Sequence, residues 1–281
     1  MATILITGAN GFLGRELVEY YSQTSHRVIP ASREILDVAD GAAVDEFFAH
    51  NDIDFVWHTA VKYESTLTSF ITNMNMFYNL KKHAGKYTAM VSFGSGAEFD
   101  RATPISAATE LSVVGGYPDD HYGLAKNIIA REILEHNGNI INLRIFGCFG
   151  LHERSTRFIT SAIDRASGGR PIVVNQNREM DFCYVGDIIK VLDFILEERI
   201  INHIDINMCY KEKWTLEKIA RFINSLIDDH KGVIIKNIAP GLSYTGCSDR
   251  LAGLELELLG LQGGIVEMLK RKRICLSYKL F

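Results

Sequence analysis

Tyr122 and Lys126 are the two residues of this sequence best suited, by type and spacing, to proton transfer. They lie four residues apart in a predicted helix, 120–137, where positions i and i+4 share one face. A phenol has a pKa of about 10 and is a weak acid at neutral pH, but a neighbouring ammonium favours the phenolate. We therefore predict that Lys126 lowers the pKa of Tyr122, which acts as a general acid toward a carbonyl group being reduced.

Ser95 is the predicted third member of this site. It follows a predicted strand, 88–93, and hydroxyls at the carboxyl end of a central strand face the crevice where open parallel sheets bind ligands. Ser92 is a competing candidate, but strand alternation and the glycines on both sides favour Ser95. The simpler alternative is a Gly/Ser turn without catalytic function.

A glycine-rich turn, TGANGFLG (7–14), joins the first predicted strand to a helical stretch. Such a turn lets the backbone approach a pyrophosphate, and the helix N-terminus supplies free N–H groups and partial positive charge. A tight turn without a ligand is the alternative. The predicted cofactor contacts here are Gly8, Asn10, Gly11, Phe12, Leu13 and Gly14.

Ser32 and Arg33 end the second predicted strand, where NAD-specific sheets usually present a carboxylate to the adenosine ribose. A hydroxyl and a guanidinium suit a 2′-phosphate instead, so we predict NADPH over NADH. A solvated surface arginine is the alternative. Asp37 and Val38 are predicted to contact the adenine, although Asp37 is also a possible helix cap; Asp40 is the better cap for a helix at 40–50.

The elements that must position these residues alternate between short apolar runs and amphipathic stretches, which predicts an α/β Rossmann fold with a doubly wound parallel sheet. Predicted strands lie at 2–7, 26–31, 54–59, 88–93 and 139–146, with helices at 12–23, 40–50, 66–84 and 120–137. After Gly150 we predict a smaller substrate-binding α/β lid, with helices near 156–167, 187–198 and 215–229 and strands at 171–175 and 203–208. The predicted division is residues 1–150 for the cofactor domain, with 186–208 returning to it, and residues 151–185 and 209–281 for the lid.

The composition is that of an ordinary globular chain: 281 residues, 47% hydrophobic, 23% charged and a net charge of −4. This balance predicts no nucleic-acid or membrane partner, and the basic run 270–273 is interpreted as the solvated end of a last helix. Five scattered cysteines without CxxC spacing predict reduced thiols and no metal. Without a signal-peptide pattern or a long apolar run, we expect a cytoplasmic protein.

The glycine-rich turn, Ser95, Tyr122 and Lys126 together resemble the extended short-chain dehydrogenase/reductase superfamily, that is, the NAD-dependent epimerase/dehydratase family. Further motifs follow in the order that this family uses: HTAVK (58–62), Asn73 and Asn79 in NMNMFYNL, LRIFGCFG (143–150) and DFCYVGD (181–187). The stretches REILDVADGAAVDEFF and DFVWHTAVK most resemble GDP-L-fucose synthase-like sugar-nucleotide C4 reductases. The resemblance adds Ala60, Ile145 and Phe146 to the predicted cofactor contacts, beside Tyr122 and Lys126.

Departures from the family pattern narrow the predicted chemistry. Fucose synthase-like enzymes use a cysteine two residues after the serine, and a histidine after the fifth strand, for epimerisation; here the first position is Ala97, and 151–158 looks too short for the second. His152 is a possible substitute, although a lone loop histidine is more often a surface residue. A 4,6-dehydratase needs an Asp-Glu pair where this chain has Gly96-Ala97, and Glu98 should point to the opposite face.

These features predict an NADPH-dependent C4 ketoreductase of a nucleotide-linked 4-keto-6-deoxy sugar, with a GDP-sugar favoured. An NAD-dependent 4-epimerase and a non-catalytic NADP-sensing protein are the alternatives. We expect a homodimer through a four-helix bundle of helices 66–84 and 120–137. Gly147 replaces an asparagine that contacts the nucleotide sugar in the family. The predicted substrate contacts are Ser95, Gly147, Arg157, Asn175, Arg178 and Arg250.

Overall fold

The computed structural model of the chain describes residues 1–136, 138–198, 205–227 and 231–272. The strands are β1 (Thr3–Thr7), β2 (Arg27–Ala31), β3 (Phe55–His58), β4 (Ala89–Ser95), β5 (Ile105–Ala108), β6 (Ile140–Ile145), β7 (Cys148–Phe149), β8 (Ile172–Gln176), β9 (Cys183–Tyr184), β10 (Asp205–Met208), β11 (Val233–Asn237) and β12 (Tyr244–Gly246). The helices are α1 (Phe12–Tyr21), α2 (Gly41–His50), α3 (Leu67–Lys81), α4 (His121–His136), α5 (Phe158–Ser167), α6 (Val185–Glu198), α7 (Leu216–Ser225), α8 (Asp249–Ala252) and α9 (Gly260–Arg271).

Six strands form one parallel sheet in the order β10-β6-β4-β3-β1-β2. The order reverses between β1 and β3, which is the arrangement of a doubly wound sheet and brings the carboxyl ends of β1, β3, β4 and β6 to one edge. Apolar side chains are buried on both faces of β1, Ile4 and Ile6 in one core cluster and Leu5 in another, because helices cover both sides. The predicted α/β Rossmann fold is confirmed.

Helix starts follow local capping chemistry. Asp40 accepts hydrogen bonds from the backbone of Ala42 and Ala43 and caps α2, while Thr66 and Thr215 cap α3 and α7 in the same way. The predicted bounds of these helices lie within a few residues of the observed ones. The exceptions are the far ends of predicted helices 66–84 and 215–229, since α3 ends at Lys81 and α7 at Ser225; residues 228 and 229 lie outside the described residues.

A second apolar cluster lies beyond the sheet and joins α5, α7 and α9 to β8 and β11, which pair in parallel. Between the two clusters, the two-residue strands β7 and β9 pair with each other. β10 returns to the main sheet beside β6; residues 203 and 204 of the predicted strand lie outside the described residues. The short strands β5, β7, β9 and β12 were not predicted, because two to four residues are too few to show a period.

Candidate active site

The glycine-rich turn forms a close backbone approach between β1 and α1. Gly8 has φ of +67°, and a Cβ there would lie 2.7 Å from the backbone of Ala60. A Cβ at Gly14 would lie 2.3 Å from the Gly8 carbonyl oxygen. Gly11, the N-cap of α1, provides no side-chain hydrogen bond to the first turn. These are the features of a backbone cradle for a pyrophosphate, and they fit a nicotinamide dinucleotide.

Hydrogen bonds hold the loops around this cradle. Thr59 Oγ1 donates to the Thr7 carbonyl oxygen at 2.6 Å, and Asn73 bonds both backbone groups of Lys62 at 2.9 Å. Asn79 donates to the Val38 carbonyl oxygen at 3.1 Å, so Asn73 and Asn79 of the NMNMFYNL motif fix the loops after β3 and β2. Asp37 accepts from the Ala39 amide at 3.0 Å. Of the predicted adenine contacts, Asp37 is half-buried and Val38 is buried beside α2, and their contact with adenine stays a prediction.

A cavity of about 480 Å³ lies beside the glycine-rich turn, near the end of β2. Ser32 lines it as predicted, whereas Arg33 is exposed beside it and Arg15 of α1 lines it directly. Sequence reasoning missed Arg15, whose signal was a position directly after the last glycine of the turn. The full lining is Ala9, Asn10, Arg15, Val18, Glu19, Pro30, Ser32, Ile35 and His152.

His152 lines the same cavity. Its Nε2 lies 2.8 Å from Glu19 Oε2, and its backbone N–H donates to Glu16 at 2.9 Å. This placement argues against His152 as a substitute for the epimerisation histidine, because α1 holds it beside the glycine-rich turn.

Tyr122 and Lys126 lie in the first two turns of α4, as predicted, and reach toward the end of β4. Lys126 Nζ donates to the Phe93 carbonyl oxygen at 2.8 Å, and burial lowers the pKa of Lys126 to about 8 although Glu98 opposes the shift. Burial raises the pKa of Tyr122 well above its usual value, opposed by a hydrogen bond from Ser95. The predicted lowering of the Tyr122 pKa by Lys126 is thus not seen. Tyr122 is a protonated phenol at neutral pH, the form that a general acid requires.

Ser95 is the last residue of β4, opposite Ile145 in the register, and is half-buried. Its Oγ accepts a hydrogen bond from the Ala97 N–H at 3.1 Å and also interacts with the hydroxyl of Tyr122. Ser92, the competing candidate, lies inside the sheet opposite His58 and is 2% exposed. The geometry therefore places Ser95, not Ser92, beside the predicted acid.

Glu98 folds back beneath Ser95. Its Oε1 accepts from the Ser95 backbone N–H at 2.8 Å, and its carboxylate pairs with the buried Arg144, which also bonds Asp205 at 2.8 Å. Burial raises the pKa of Asp205 to about 7, with Arg144 opposing the shift. Glu98 is 1% exposed and serves as a structural anion under the site, so it is not available as a dehydratase acid.

Ala97 is 2% exposed and fills the place of the epimerisation cysteine with a methyl group. Close packing explains why residue 147 is a glycine. A Cβ there would lie 2.7 Å from the Phe182 ring and 2.9 Å from the Asp181 carbonyl oxygen. An asparagine would not fit at Gly147 without movement of Asp181 and Phe182. Phe146 is buried against Gly96, and Ile145 is half-buried at the end of β6.

Two tyrosines that were not predicted complete the site. The ring of Tyr63 lies 5.9 Å from that of Tyr122 and is 68% exposed. The hydroxyl of Tyr244, in β12, interacts with that of Ser95. Neither had a sequence signal, because Tyr63 lies in a loop and β12 has three residues.

The predicted substrate contacts in the lid separate into two groups. Arg154 and Arg157 lie within electrostatic range of Tyr63, and Arg178 lies within electrostatic range of Tyr244. Asn175 is exposed on β8. Arg250 instead donates to the Asp205 carbonyl oxygen at 2.8 Å and lies 3.6 Å from Glu110. This placement argues against the predicted diphosphate contact of Arg250, because its guanidinium supports the buried Arg144 network.

Among the residues that the structure describes, no helix is both long and apolar enough to cross a membrane. Within the same ranges, no three His, Cys, Asp or Glu side chains are grouped to hold a metal ion. Cys148, Cys183, Cys209 and Cys247 are free, and Cys275 lies outside the described residues.

Comparison with known proteins supports the same assignment. The chain is similar to the spore coat polysaccharide biosynthesis protein SpsK of Bacillus subtilis (strain 168), at 28% identity over 99 residues, 35% of this chain and 34% of that protein. The chain thus spans about a third of that relative. The fold is similar to MlghC, a GDP-mannoheptose C4 reductase from Campylobacter jejuni with NADP bound, at 16% identity and a TM-score of 0.76 over 97% of this chain and 98% of that one.

It is equally similar to a GDP-L-fucose synthetase from Naegleria fowleri, with 16% identity and a TM-score of 0.76 over 96% of this chain and 92% of that one. At such identities these structures show the fold alone. The family model described as NAD dependent epimerase/dehydratase family matches residues 4–209. Together with the cradle and the Ser95, Tyr122 and Lys126 cluster, this match confirms a nicotinamide-dependent enzyme of the extended short-chain type: the chain belongs to the NAD dependent epimerase/dehydratase family.

Proposed function

We propose that this protein is an NADPH-dependent reductase of the C4 ketone of a nucleotide-linked 4-keto-6-deoxy sugar, with a GDP-sugar favoured. The observation that carries the proposal is a serine, tyrosine and lysine cluster suited to carbonyl reduction, beside which, among the described residues, positions 97 and 98 provide no free acid or base. Ser95, Tyr122 and Lys126 meet at the end of β4, while Ala97 is a methyl group and Glu98 is held by Arg144.

The proton chemistry belongs to Tyr122. When bound, the reduced nicotinamide supplies a hydride equivalent to the ketone carbon. Tyr122 donates its phenolic proton to the ketone oxygen, so that the ketone becomes a secondary alcohol and the phenol is left as a phenolate. Ser95 donates a hydrogen bond to the same oxygen and stabilises the charge that develops there. The phenolate then regains a proton from solvent.

Lys126 provides the positive charge near this phenolate. Its ammonium is anchored by the Phe93 carbonyl oxygen, and its pKa of about 8 leaves it mostly charged at neutral pH. A cation in this buried site favours the negative charge formed as Tyr122 gives up its proton. Burial outweighs this effect in the structure, where the pKa of Tyr122 stays above its usual value.

We place the adenosine of the cofactor in the cavity beside the glycine-rich turn. NADPH is proposed over NADH because this cavity is lined by Ser32 and Arg15, with Arg33 at its border. An arginine fork pairs well with the oxygens of a 2′-phosphate. Glu19 also lines the cavity, but it is held by His152 and Arg271, which lower the pKa of its carboxyl group.

The sugar nucleotide is proposed to bind between Tyr63, Tyr122 and the lid. Arg154 and Arg157 are exposed at the start of α5 and supply positive charge suited to a diphosphate. Arg157 Nε lies 3.8 Å from Glu153 Oε1. The Glu153 side chain is buried, whereas that of Arg157 is exposed. We place the division between the cofactor domain and the lid at the predicted bounds, 1–150 with 186–208, and 151–185 with 209–281.

A homodimer through α3 and α4 is also proposed. The two helices pack side by side, with Lys81 paired to Glu132, and α3 exposes Leu67, Ile71 and Tyr78 along one face. An apolar stripe at this spacing is suited to a four-helix bundle with a second copy.

The test is a panel of GDP-, dTDP- and CDP-linked 4-keto-6-deoxy sugars incubated with the protein and NADPH. We expect NADPH consumption and a product heavier than the substrate by one hydride and one proton. A 4-epimerase would instead invert the C4 alcohol of the corresponding nucleotide sugar, with no change of mass and no consumption of NADPH, and would release NAD on heat denaturation. Either of those results would replace the reductase assignment.

A further inference from the structure

Tyr244 is fixed in place by the backbone around it. Its N–H donates to the Glu179 carbonyl oxygen at 2.9 Å, and its carbonyl oxygen accepts from the Asp181 N–H at 3.1 Å. Its neighbour Ser243 accepts from the Ile105 N–H at 2.9 Å, where β12 pairs with β5. The Tyr244 ring packs edge-on against Phe146 with 5.3 Å between the centroids. The phenol therefore has a defined direction, toward the end of β4.

The Tyr244 hydroxyl lies directly over Gly96. A Cβ on Gly96 would lie 2.6 Å from the hydroxyl oxygen and 2.7 Å from Cζ. Any larger residue between Ser95 and Ala97 would push this phenol away, so the glycine and the tyrosine fit as a pair. The hydroxyl interacts with Ser95, and burial raises the pKa of Tyr244 to about 12, so the phenol is protonated at neutral pH.

The hydrogen-bonding capacity of Ser95 explains what this second phenol does. A serine hydroxyl has one donor and two acceptor positions. The Ala97 N–H takes one acceptor at 3.1 Å. If Tyr122 filled the other, its proton would be directed at Ser95 and not at the substrate. A hydrogen bond donated by Tyr244 would fill that position, and the Ser95 proton and the Tyr122 proton would then both remain for the ketone oxygen.

We propose that Tyr244 is a positioning residue of the reductase site: its hydroxyl donates to Ser95 Oγ and thereby directs the Ser95 proton toward the substrate oxygen. This inference rests on the proposed reductase function. Tyr244 acts through Ser95, whereas Tyr122 and Ser95 act on the ketone itself.

A double-mutant cycle on the single-turnover rate of NADPH oxidation tests the proposal. We expect Tyr244→Phe to lower that rate about tenfold, the effect of one misdirected hydrogen bond, with the dissociation constant of NADPH unchanged. In a Ser95→Ala background, Tyr244→Phe should cause no further loss. Tyr20→Phe, which removes a hydroxyl bonded to Asp193 on α6, is the matched control and should keep the wild-type rate. The proposal would be overturned if the rate of the double variant fell by the product of the two single-variant losses, or if Tyr244→Phe kept the wild-type rate.

A second measurement separates this inference from the proposed function, since it requires no turnover. Tyrosine labelled with carbon-13 at Cζ reports the hydrogen bonding of each phenol, and Tyr122→Phe and Tyr244→Phe assign the two resonances. We expect Ser95→Ala to shift both, and Tyr244→Phe to shift the Tyr122 resonance only when Ser95 is present. If Ser95→Ala leaves the Tyr244 resonance unchanged, the positioning role is contradicted. If the Tyr244 resonance shifts but the protein reduces no 4-keto sugar, only the reductase assignment is contradicted.

Discussion

Lys126 Nζ lies 2.8 Å from the carbonyl oxygen of Phe93, 33 residues earlier in the chain. This hydrogen bond ties α4 to the end of β4 and fixes the ammonium beside the strand that carries Ser95. Because the bond is to a neutral carbonyl group, the lysine is buried without a directly paired carboxylate. The cost of that burial appears in its lowered pKa.

Lys126→Met should stabilise the fold while removing activity. The shift in the Lys126 pKa from 10.5 to about 8 is a destabilisation of about 3 kcal/mol at neutral pH. The hydrogen bond lost to Phe93 offsets about 1 kcal/mol of the gain. Urea unfolding at pH 7 should therefore show a free energy of unfolding higher by about 2 kcal/mol. Lys218→Met, at an exposed lysine of α7, is the control, and a less stable Lys126→Met protein would contradict the account.

The same pKa predicts how activity and stability vary with pH. Below pH 8, Lys126 is charged in both the folded and the unfolded chain; between about 8 and 10.5 the folded chain has released a proton that the unfolded chain still holds. The contribution of Lys126 to the free energy of unfolding should therefore rise with pH across that window. The rate of reduction should fall across it, because the cation is lost. A pH–rate profile that stays flat well above pH 8 would be inconsistent with a role for the charged lysine.

Tyr122→Phe should lower the single-turnover rate by about a thousandfold, the usual effect of removing a general acid. The hydroxyl is not needed for the glycine cradle, so the NADPH dissociation constant should change little. Fluorescence titration with NADPH measures the binding, and stopped-flow absorbance measures the rate. Turnover near the wild-type value would remove Tyr122 from the mechanism.

Arg15→Gln and Arg33→Gln should each raise the dissociation constant of NADPH about tenfold, because a charge-assisted hydrogen bond to the 2′-phosphate is lost. NADH lacks that phosphate, so its dissociation constant is the internal control and should not change. Equal weakening of both cofactors would show that these arginines do not read the phosphate.

Arg144→Leu should lower the free energy of unfolding by about 3–5 kcal/mol, because it leaves the buried carboxylates of Glu98 and Asp205 without their cation. Arg221→Leu removes an exposed arginine paired with Glu217 and should cost less than about 1 kcal/mol. Denaturant unfolding of both variants provides the comparison, and similar losses in the two would show that the buried network contributes no more than a surface pair.

The sequence was sufficient for the parts of the molecule that repeat or are local. Alternating apolar runs predicted the six-stranded sheet, and Gly8 with Gly14 predicted the cradle because only glycine fits such close backbone contacts. The i, i+4 spacing placed Tyr122 and Lys126 on one face of α4. The pKa of Tyr122 was not predictable in the same way, since burial by the rest of the fold outweighs the effect expected from the neighbouring lysine.

Long-range packing set the remaining features. Tyr244 reaches Ser95 from a strand 149 positions later, through the pairing of β12 with β5, for which no short-range pattern exists. Arg250 looked like a phosphate ligand, but the fold places it against Asp205 and Glu110. Arg15 was not predicted, and only the fold shows that it lines the same cavity as Ser32.

The central claim is that the Ser95, Tyr122 and Lys126 cluster reduces C4 and leaves the neighbouring carbons untouched. The most direct test is mass spectrometry and proton NMR of the product formed from a GDP-linked 4-keto-6-deoxy sugar and NADPH in deuterium oxide. We predict a C4 alcohol whose C4 hydrogen comes from the cofactor, with protium retained at C3 and C5. Deuterium at C3 or C5 of the product, or a product of unchanged oxidation state, would contradict the claim.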